Sequence, residues 1–262
     1  MTARIGAAPA PARLGGVPAP VVVAIALAWA VAIAAEAGGV AHYAHHDVLL
    51  ENGPPLELAM LIFLLSWQVM IAAMMLPSSL PLIRMFASAS AAQPRPRASM
   101  WAFLGGYAVV WSAFGAVALL FDLGVHRSVD SFEWLNDQQW LIGPSVLALA
   151  GLFQFTKLKD ACLDKCRHPA QFMLRFYERG PRGGFRLGAR HGIYCVGCCW
   201  ALMFVMFAAG VASLIWMALL TGVMVHEKTR PAGARAVPLT GVTLLATAST
   251  VLLYSAYAAG AI

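Results

Sequence analysis

Residues 194–226 read YCVGCCWALMFVMFAAGVASLIWMALLTGVMVH, and this apolar stretch decides how the chain crosses a membrane. Its 33 residues are too many for one membrane-spanning helix, which needs about 20, and too few for two full ones. If the stretch instead forms two short helices with a turn near 210–213, the basic residues that follow it lie on the same side of the membrane as its first residue. With that turn, every Lys and Arg except Arg127 lies on one side of the membrane. Basic residues favour the cytoplasmic side, so the charge pattern predicts the turn.

The composition indicates a membrane protein. Of the 262 residues, 60% are hydrophobic and 11% are charged, whereas soluble domains carry about 25% charged residues. These values exclude a disordered chain and argue against a soluble enzyme. The formal net charge of +6 is typical of basic cytoplasmic loops. We therefore expect the lipid bilayer as a partner and no binding of nucleic acid.

Five further apolar segments are predicted as spans, at 20–37, 56–76, 101–121, 140–156 and 237–258. With the two short helices, they predict an all-α polytopic transmembrane helix bundle of about seven spans. The N-terminus is cytoplasmic in this topology, and we expect the bacterial inner membrane. Six spans follow instead if 194–226 is one helix, or if the first span is a cleaved signal peptide. The predicted domains are a disordered tail at 1–19 and a single transmembrane domain at 20–258, with a cytoplasmic loop at 157–192.

All the cysteines fall on the cytoplasmic side of this topology, as Cys162, Cys166, Cys195, Cys198 and Cys199. Spacings of three and four bring the members of each group onto one helix face. A reducing cytoplasm argues against a structural disulfide, and thiolates select soft or borderline ions such as Cu(I) and Zn(II). We therefore predict that these thiols form one metal site. Thiol redox chemistry and simple packing of small apolar side chains are the alternatives.

Other candidate ligands lie close to the cysteines in the sequence. His168 and His191 flank the two cysteine groups, and they either complete a coordination sphere or are ordinary loop histidines. Glu227 and Lys228 follow the sixth predicted span. The pair either caps the end of that helix or faces the cysteines, so Glu227 is a secondary metal candidate.

The second predicted span carries Met70, Met74 and Met75 in the sequence WQVMIAAMMLP. Thioethers can pass Cu(I) along a pore, but methionine is also a flexible filler of apolar cores. We expect packing here, and we keep Met74 and Met75 as secondary metal candidates. Pro77 and Pro81 are expected to break this helix near the cytoplasmic surface, because proline lacks the backbone donor that a helix interior needs.

A second possible metal site lies on the outer side, just after the first predicted span. The sequence AHYAHHD places His42, His45 and His46 close to Asp47. If the helix continues, His42 faces the other two histidines, and this set of nitrogen and oxygen ligands suits a divalent ion. A solvated polar cap explains the same residues equally well.

These motifs resemble a bacterial family of predicted metal-binding integral membrane proteins, a family whose function is unknown. The resemblance covers roughly residues 57–240. It rests on WQVMIAAMMLPS (67–78), Tyr107 and Trp111, AGLFQFTKLKDACLDKCRHP (150–169), GIYCVGCCWALM (192–203), and the segment from WMALL to the proline after EKTR (216–231). The chain departs from the family pattern at Lys157, where the family has proline, and the histidines at 42–46 lie outside that pattern. The resemblance implies a membrane protein that holds metal through its cysteines, and it implies no reaction or substrate.

We therefore interpret the chain as a metal-binding protein of the inner membrane that handles copper or zinc. Its role is delivery, assembly or transport through a cytoplasm-facing cysteine site, with a metalloenzyme or a metal chaperone as a partner. Transport requires a polar or thioether path from the inner cysteines to the outer histidines. The alternatives are a structural or assembly module without catalytic activity, and a membrane thiol oxidoreductase. The sequence selects neither the ion nor the oligomeric state.

Overall fold

The computed structural model describes residues 16–40, 54–209 and 213–259. This part of the chain is almost entirely helical and contains no strand, which confirms the predicted all-α helix bundle. Residues 1–15 of the predicted tail at 1–19 lie outside the described residues, and so do the outer candidates His42, His45 and His46. The prediction of an outer metal site therefore stays a prediction.

From α2 onward, the helices follow one another with short connections. They are α1 (Ala19–Ala37), α2 (Leu56–Ser90), α3 (Pro96–Ser131), α4 (Glu133–Asn136), α5 (Ile142–Phe153), α6 (Lys157–Arg167), α7 (Pro169–Phe176), α8 (Gly180–Ala209), α9 (Leu214–Thr229) and α10 (Gly233–Ala258). A 3₁₀ turn at Gln139–Leu141 leads directly into α5.

Helices α1, α2, α3, α8 and α10 are long and apolar enough to cross a membrane. The 3₁₀ turn with α5 and then α6 form a pair bent by 64°, which makes a sixth span if the pair crosses as one unit. Helix α9 has 16 residues, slightly fewer than the range of about 17–25 that spans a bilayer. Length and composition of the described residues thus support five or six spans, and the seventh rests on α9.

The apolar stretch at 194–226 is divided as its charge pattern predicts. Helix α8 ends at Ala209, and α9 begins at Leu214. Helix α8 nevertheless begins at Gly180, fourteen residues before the predicted span. The predicted cytoplasmic loop at 157–192 is accordingly helical, formed by α6, α7 and the first turns of α8. Hydropathy indicates where a helix enters the apolar layer, and it does not indicate where the helix begins.

Helix α6 has its own end signals, which explain why this polar segment is helical. The side chain of Thr156 caps the helix by accepting a hydrogen bond from the backbone N–H of Lys159 at 3.3 Å. Asp160 lies in the first turn, and Lys165 and Arg167 lie in the last turn. These charges have the signs that stabilise the two ends of a helix dipole.

The predicted break of α2 at Pro77 and Pro81 is wrong, since the helix continues through both prolines to Ser90. Proline at 77 leaves the carbonyl oxygen of Ala73 without its usual helical donor. The indole N–H of Trp29 in α1 donates to this oxygen at 3.0 Å. A neighbouring helix therefore replaces the missing hydrogen bond, which is how prolines are tolerated within membrane helices.

Glycines bring α3 and α8 into close contact. A Cβ atom at Gly188 would overlap the carbonyl oxygen of Phe103, and one at Gly106 would overlap that of Phe185. Such contacts between small residues let two membrane helices approach until their backbones touch. The close approach brings Tyr107 of α3 against the cysteines of α8.

We expect Gly106→Ala to destabilise the bundle, because the new methyl group has to push α8 away. The cost of such overpacking is about 1–3 kcal/mol. Gly105→Ala is the matched control, since a Cβ at Gly105 meets nothing within 4 Å. Alanine at 105 should be neutral or more stable by up to about 1 kcal/mol because of its helix propensity. Thermal unfolding in detergent, followed by tryptophan fluorescence, checks this, and equal midpoints for both variants would contradict the close contact.

Candidate metal site

The two cysteine groups, which are far apart in the sequence, meet where α6 packs on α8. The thiol of Cys166 lies near that of Cys198. The Sγ atom of Cys162 lies against Gly197, where a Cβ would be only 2.6 Å away. Gly197, which lies between Cys195 and Cys198 of α8, thus makes room for a thiol of α6.

The three cysteines of α8 are fully buried, and Cys162 and Cys166 are partly buried. The thiols of Cys198 and Cys199 donate to the carbonyl oxygen of Cys195 at 3.1 Å and 2.7 Å. The Sγ atom of Cys199 lies 3.8 Å from the Sδ atom of Met75 in α2. We call Cys166, Cys195, Cys198 and Cys199 the thiol cluster, and Met75 adds a thioether beside it.

A buried lysine lies against this thiol cluster. The Nζ atom of Lys228 in α9 is 3.1 Å from the Sγ atom of Cys195 and 3.9 Å from that of Cys199. It also donates to the hydroxyl of Ser78 at 3.1 Å. Of the two alternatives for Lys228, the structure selects the one in which it faces the cysteines. A nearby cation favours a thiolate, which is the form that binds metal.

A chain of polar contacts extends from the thiol cluster to His191. The hydroxyl of Tyr107 lies 3.1 Å from the Sγ atom of Cys195, and Ser79 donates to that hydroxyl at 3.5 Å. The Nε2 atom of His191 is 3.0 Å from the hydroxyl of Ser79, and the imidazole ring stacks on Tyr107. His191 is therefore buried behind Tyr107 and contacts the cluster through Ser79 and Tyr107.

The other sequence candidates lie away from the thiol cluster. His168 is exposed, and its Nδ1 atom is 3.0 Å from a carboxylate oxygen of Asp164. Met74 is buried in the core beside Met75, which is the methionine that contacts Cys199. Glu227 pairs with Lys159, whose Nζ atom is 2.7 Å from Oε2.

Within the described residues, no group of three or more His, Cys, Asp or Glu side chains has the arrangement of a metal site. The thioether of Met75 and the ammonium group of Lys228 border the cluster. The structure thus brings four of the predicted cysteine ligands into one cluster, with Cys162 at its edge. The binding of metal by these residues stays a prediction.

The sequence reasoning missed two residues of this region. Tyr107 stands in the sequence only as part of a motif, and the structure shows that its hydroxyl contacts Cys195. Lys159 is completely buried in α6. It shares a helix face with Cys162, Leu163 and Cys166, at intervals of three, four and seven residues, and this periodicity is the signal that identifies it.

We expect Lys159→Met to lower the free energy of unfolding by about 3–5 kcal/mol, because it leaves the buried carboxylate of Glu227 without its cation. Lys157→Met is the control, since Lys157 is exposed at the start of the same helix. It should change stability by no more than about 0.5 kcal/mol. Thermal or denaturant unfolding in detergent measures both effects. Strictly additive losses in a Lys159→Met, Glu227→Met double variant would contradict a coupled ion pair.

Comparison with known proteins gives a family match that covers most of the chain. The family model PpoB2, described as a copper chaperone, matches residues 64–251. The matched segment contains all of the cysteines together with Met75, Tyr107 and Lys228. No curated protein and no solved structure matches the chain.

Proposed function

Since the chain belongs to the PpoB2 family of copper chaperones, we propose that it binds Cu(I) at the thiol cluster and delivers it to a metalloenzyme at the membrane. The observation that carries this proposal is the meeting of the α6 and α8 thiols beside the thioether of Met75. The family and the long apolar helices together support a metal-binding integral membrane protein.

The donor atoms favour Cu(I) over Zn(II). Thiolates and thioethers are soft ligands, and they select Cu(I). The histidines that were candidates to complete a zinc sphere are engaged elsewhere, His168 with Asp164 and His191 with Ser79. The sulfur-rich surroundings of Cys199 and Met75 therefore suit a soft monovalent ion better than a borderline divalent one.

The cluster lies at the depth where α2 leaves the apolar layer. A span of about 20 residues that begins at Leu56 ends near Met75. Beyond this point, α2 continues to the side on which the basic residues of α6, α7 and the start of α8 lie. Because basic residues favour the cytoplasmic side, we infer that the cluster lies near the cytoplasmic surface of a bacterial inner membrane.

Aromatic packing favours delivery over passage through the bundle. Trp67 and Trp111 lie on the other side of the cluster from the basic segments, with ring centroids 6.5 Å apart. The indole N–H of Trp67 donates to the carbonyl oxygen of Trp111 at 2.9 Å. Phe63 and Phe114 pack on these rings. These aromatic side chains fill the part of the bundle through which a transport path would have to continue. Loading and release of copper on the cytoplasmic side therefore fit the packing better than transport across the membrane does.

We expect the detergent-purified chain to bind Cu(I) stoichiometrically, measured without oxygen by competition with a chromogenic Cu(I) chelator. Cys195→Ser should weaken binding by at least about tenfold. Removal of a group that only orients a metal ligand already lowers metal affinity by about that factor, and removal of the ligand itself should cost no less. Met75→Leu should weaken binding by a smaller factor. Met74→Leu is its matched control, since Met74 is equally buried and Met75 is the neighbour that contacts Cys199.

Unchanged affinity in Cys195→Ser would overturn the proposed site. A structural role for the cysteines predicts a different pattern, in which Cys195→Ser lowers the unfolding temperature and leaves the copper content unchanged. A thiol oxidoreductase predicts rapid alkylation of Cys195 or Cys198 at neutral pH, and a lack of such reactivity would argue against it.

A further inference from the structure

A cavity of about 400 Å³ lies at the end of α9, where this helix meets α6 and the start of α10. Arg167, His168, Lys228 and Arg230 line it, together with Thr229 and a short apolar wall. We call this cavity the basic pocket. It lies on the side of the bundle that carries most of the basic residues.

In the described part of the chain, no carboxylate is paired with Arg167, Lys228 or Arg230 of the basic pocket. Glu227, the nearest acid along α9, uses Oε2 to pair with Lys159. Asp164 pairs with Lys165 at 3.1 Å and with His168 at 3.0 Å. The Nη2 atom of Arg167 has no hydrogen-bond partner among the described residues. Arg167, Lys228 and Arg230 therefore give the pocket an excess of positive charge.

Lys228 belongs both to the basic pocket and to the contacts of the thiol cluster. Its side chain lines the cavity, and its Nζ atom lies 3.1 Å from the Sγ atom of Cys195. Only 5% of the residue is exposed. The side chain of Lys228 thus separates the pocket from Cys195, and the pocket is a short path from solvent to this thiol.

The charge of the pocket determines which form of copper can use this path. A bare Cu(I) ion is a cation, and Arg167, Lys228 and Arg230 repel it over roughly 10 Å, the screening distance in ordinary buffer. An anionic complex is attracted by the same charges, which raise its local concentration and its rate of association. Arginine side chains also bind carboxylates with two parallel hydrogen bonds.

We propose that the basic pocket is the loading port of the protein, and that it admits copper as an anionic Cu(I)–thiolate complex whose carrier thiol bears carboxylates. Glutathione is a carrier of this chemical class. The inference rests on the proposed function, because it names the form in which the cargo reaches the thiol cluster. It adds Arg230 as a residue that attracts the carrier without binding the metal.

The loading step is an exchange of sulfur ligands. A bond forms between the Sγ atom of Cys195 and Cu(I), and a bond between Cu(I) and the carrier sulfur breaks. The proton of the Cys195 thiol passes to the carrier thiolate, which leaves as a free thiol. Copper stays in the +1 state throughout, so the step needs no oxidant or reductant.

The test compares the rates at which the full-length chain in detergent takes up Cu(I), without oxygen, from its glutathione complex and from its cysteamine complex. The two carriers share a thiol, but glutathione adds carboxylates and cysteamine adds an ammonium group. We expect faster loading from glutathione, with a rate that falls as salt is raised. Arg230→Gln should slow loading from glutathione by about tenfold and leave loading from cysteamine unchanged or faster.

Arg235→Gln is the matched control, because Arg235 is an exposed arginine on α10 that does not line the pocket. It should load like the unchanged chain from both complexes. Equal rates from both carriers, with no effect of Arg230→Gln, would overturn the loading port and leave the copper site intact. Failure to load from either carrier would overturn the proposed function as well.

Discussion

The ammonium group of Lys228 imposes the constraint on which the site depends. A charge removed from water costs several kcal/mol unless opposite charge or well-placed hydrogen bonds compensate it. Among the described residues, the buried charged side chains are Lys159, Glu227 and Lys228. Glu227 forms its ion pair with Lys159, so the compensation for Lys228 has to come from the sulfur of Cys195 and the hydroxyl of Ser78.

The sulfur atoms of Cys195 and Cys199 therefore lie beside a buried positive charge. Under the proposed function, the thiolate and thioether ligands bind Cu(I), and the charge of Lys228 favours the thiolate form. The neighbouring helices hold this arrangement in place. Glycines let α3 approach α8 until Tyr107 reaches Cys195, and Trp29 compensates for Pro77 so that α2 continues past Met75.

The sequence predicted the all-α membrane fold and the division of 194–226 into two helices, because hydropathy and charge are local properties. It left open whether the two cysteine groups meet, because that contact joins helices far apart in the chain. It did not predict the start of α8 at Gly180 or the continuation of α2 through Pro77. The first depends on amphipathic turns outside the apolar layer, and the second on a donor from another helix. The burial of Lys159 beside Glu227 depends on a contact 68 residues apart in the chain.

The most direct test of the copper site is X-ray absorption at the copper edge, on the full-length chain loaded with Cu(I) in detergent and washed free of excess metal. The account predicts a Cu(I) edge and a first shell of sulfur atoms, with part of that shell lost when Cys195 and Cys199 are changed to serine. A first shell of nitrogen or oxygen, or a sulfur shell that persists unchanged in the double variant, would contradict it.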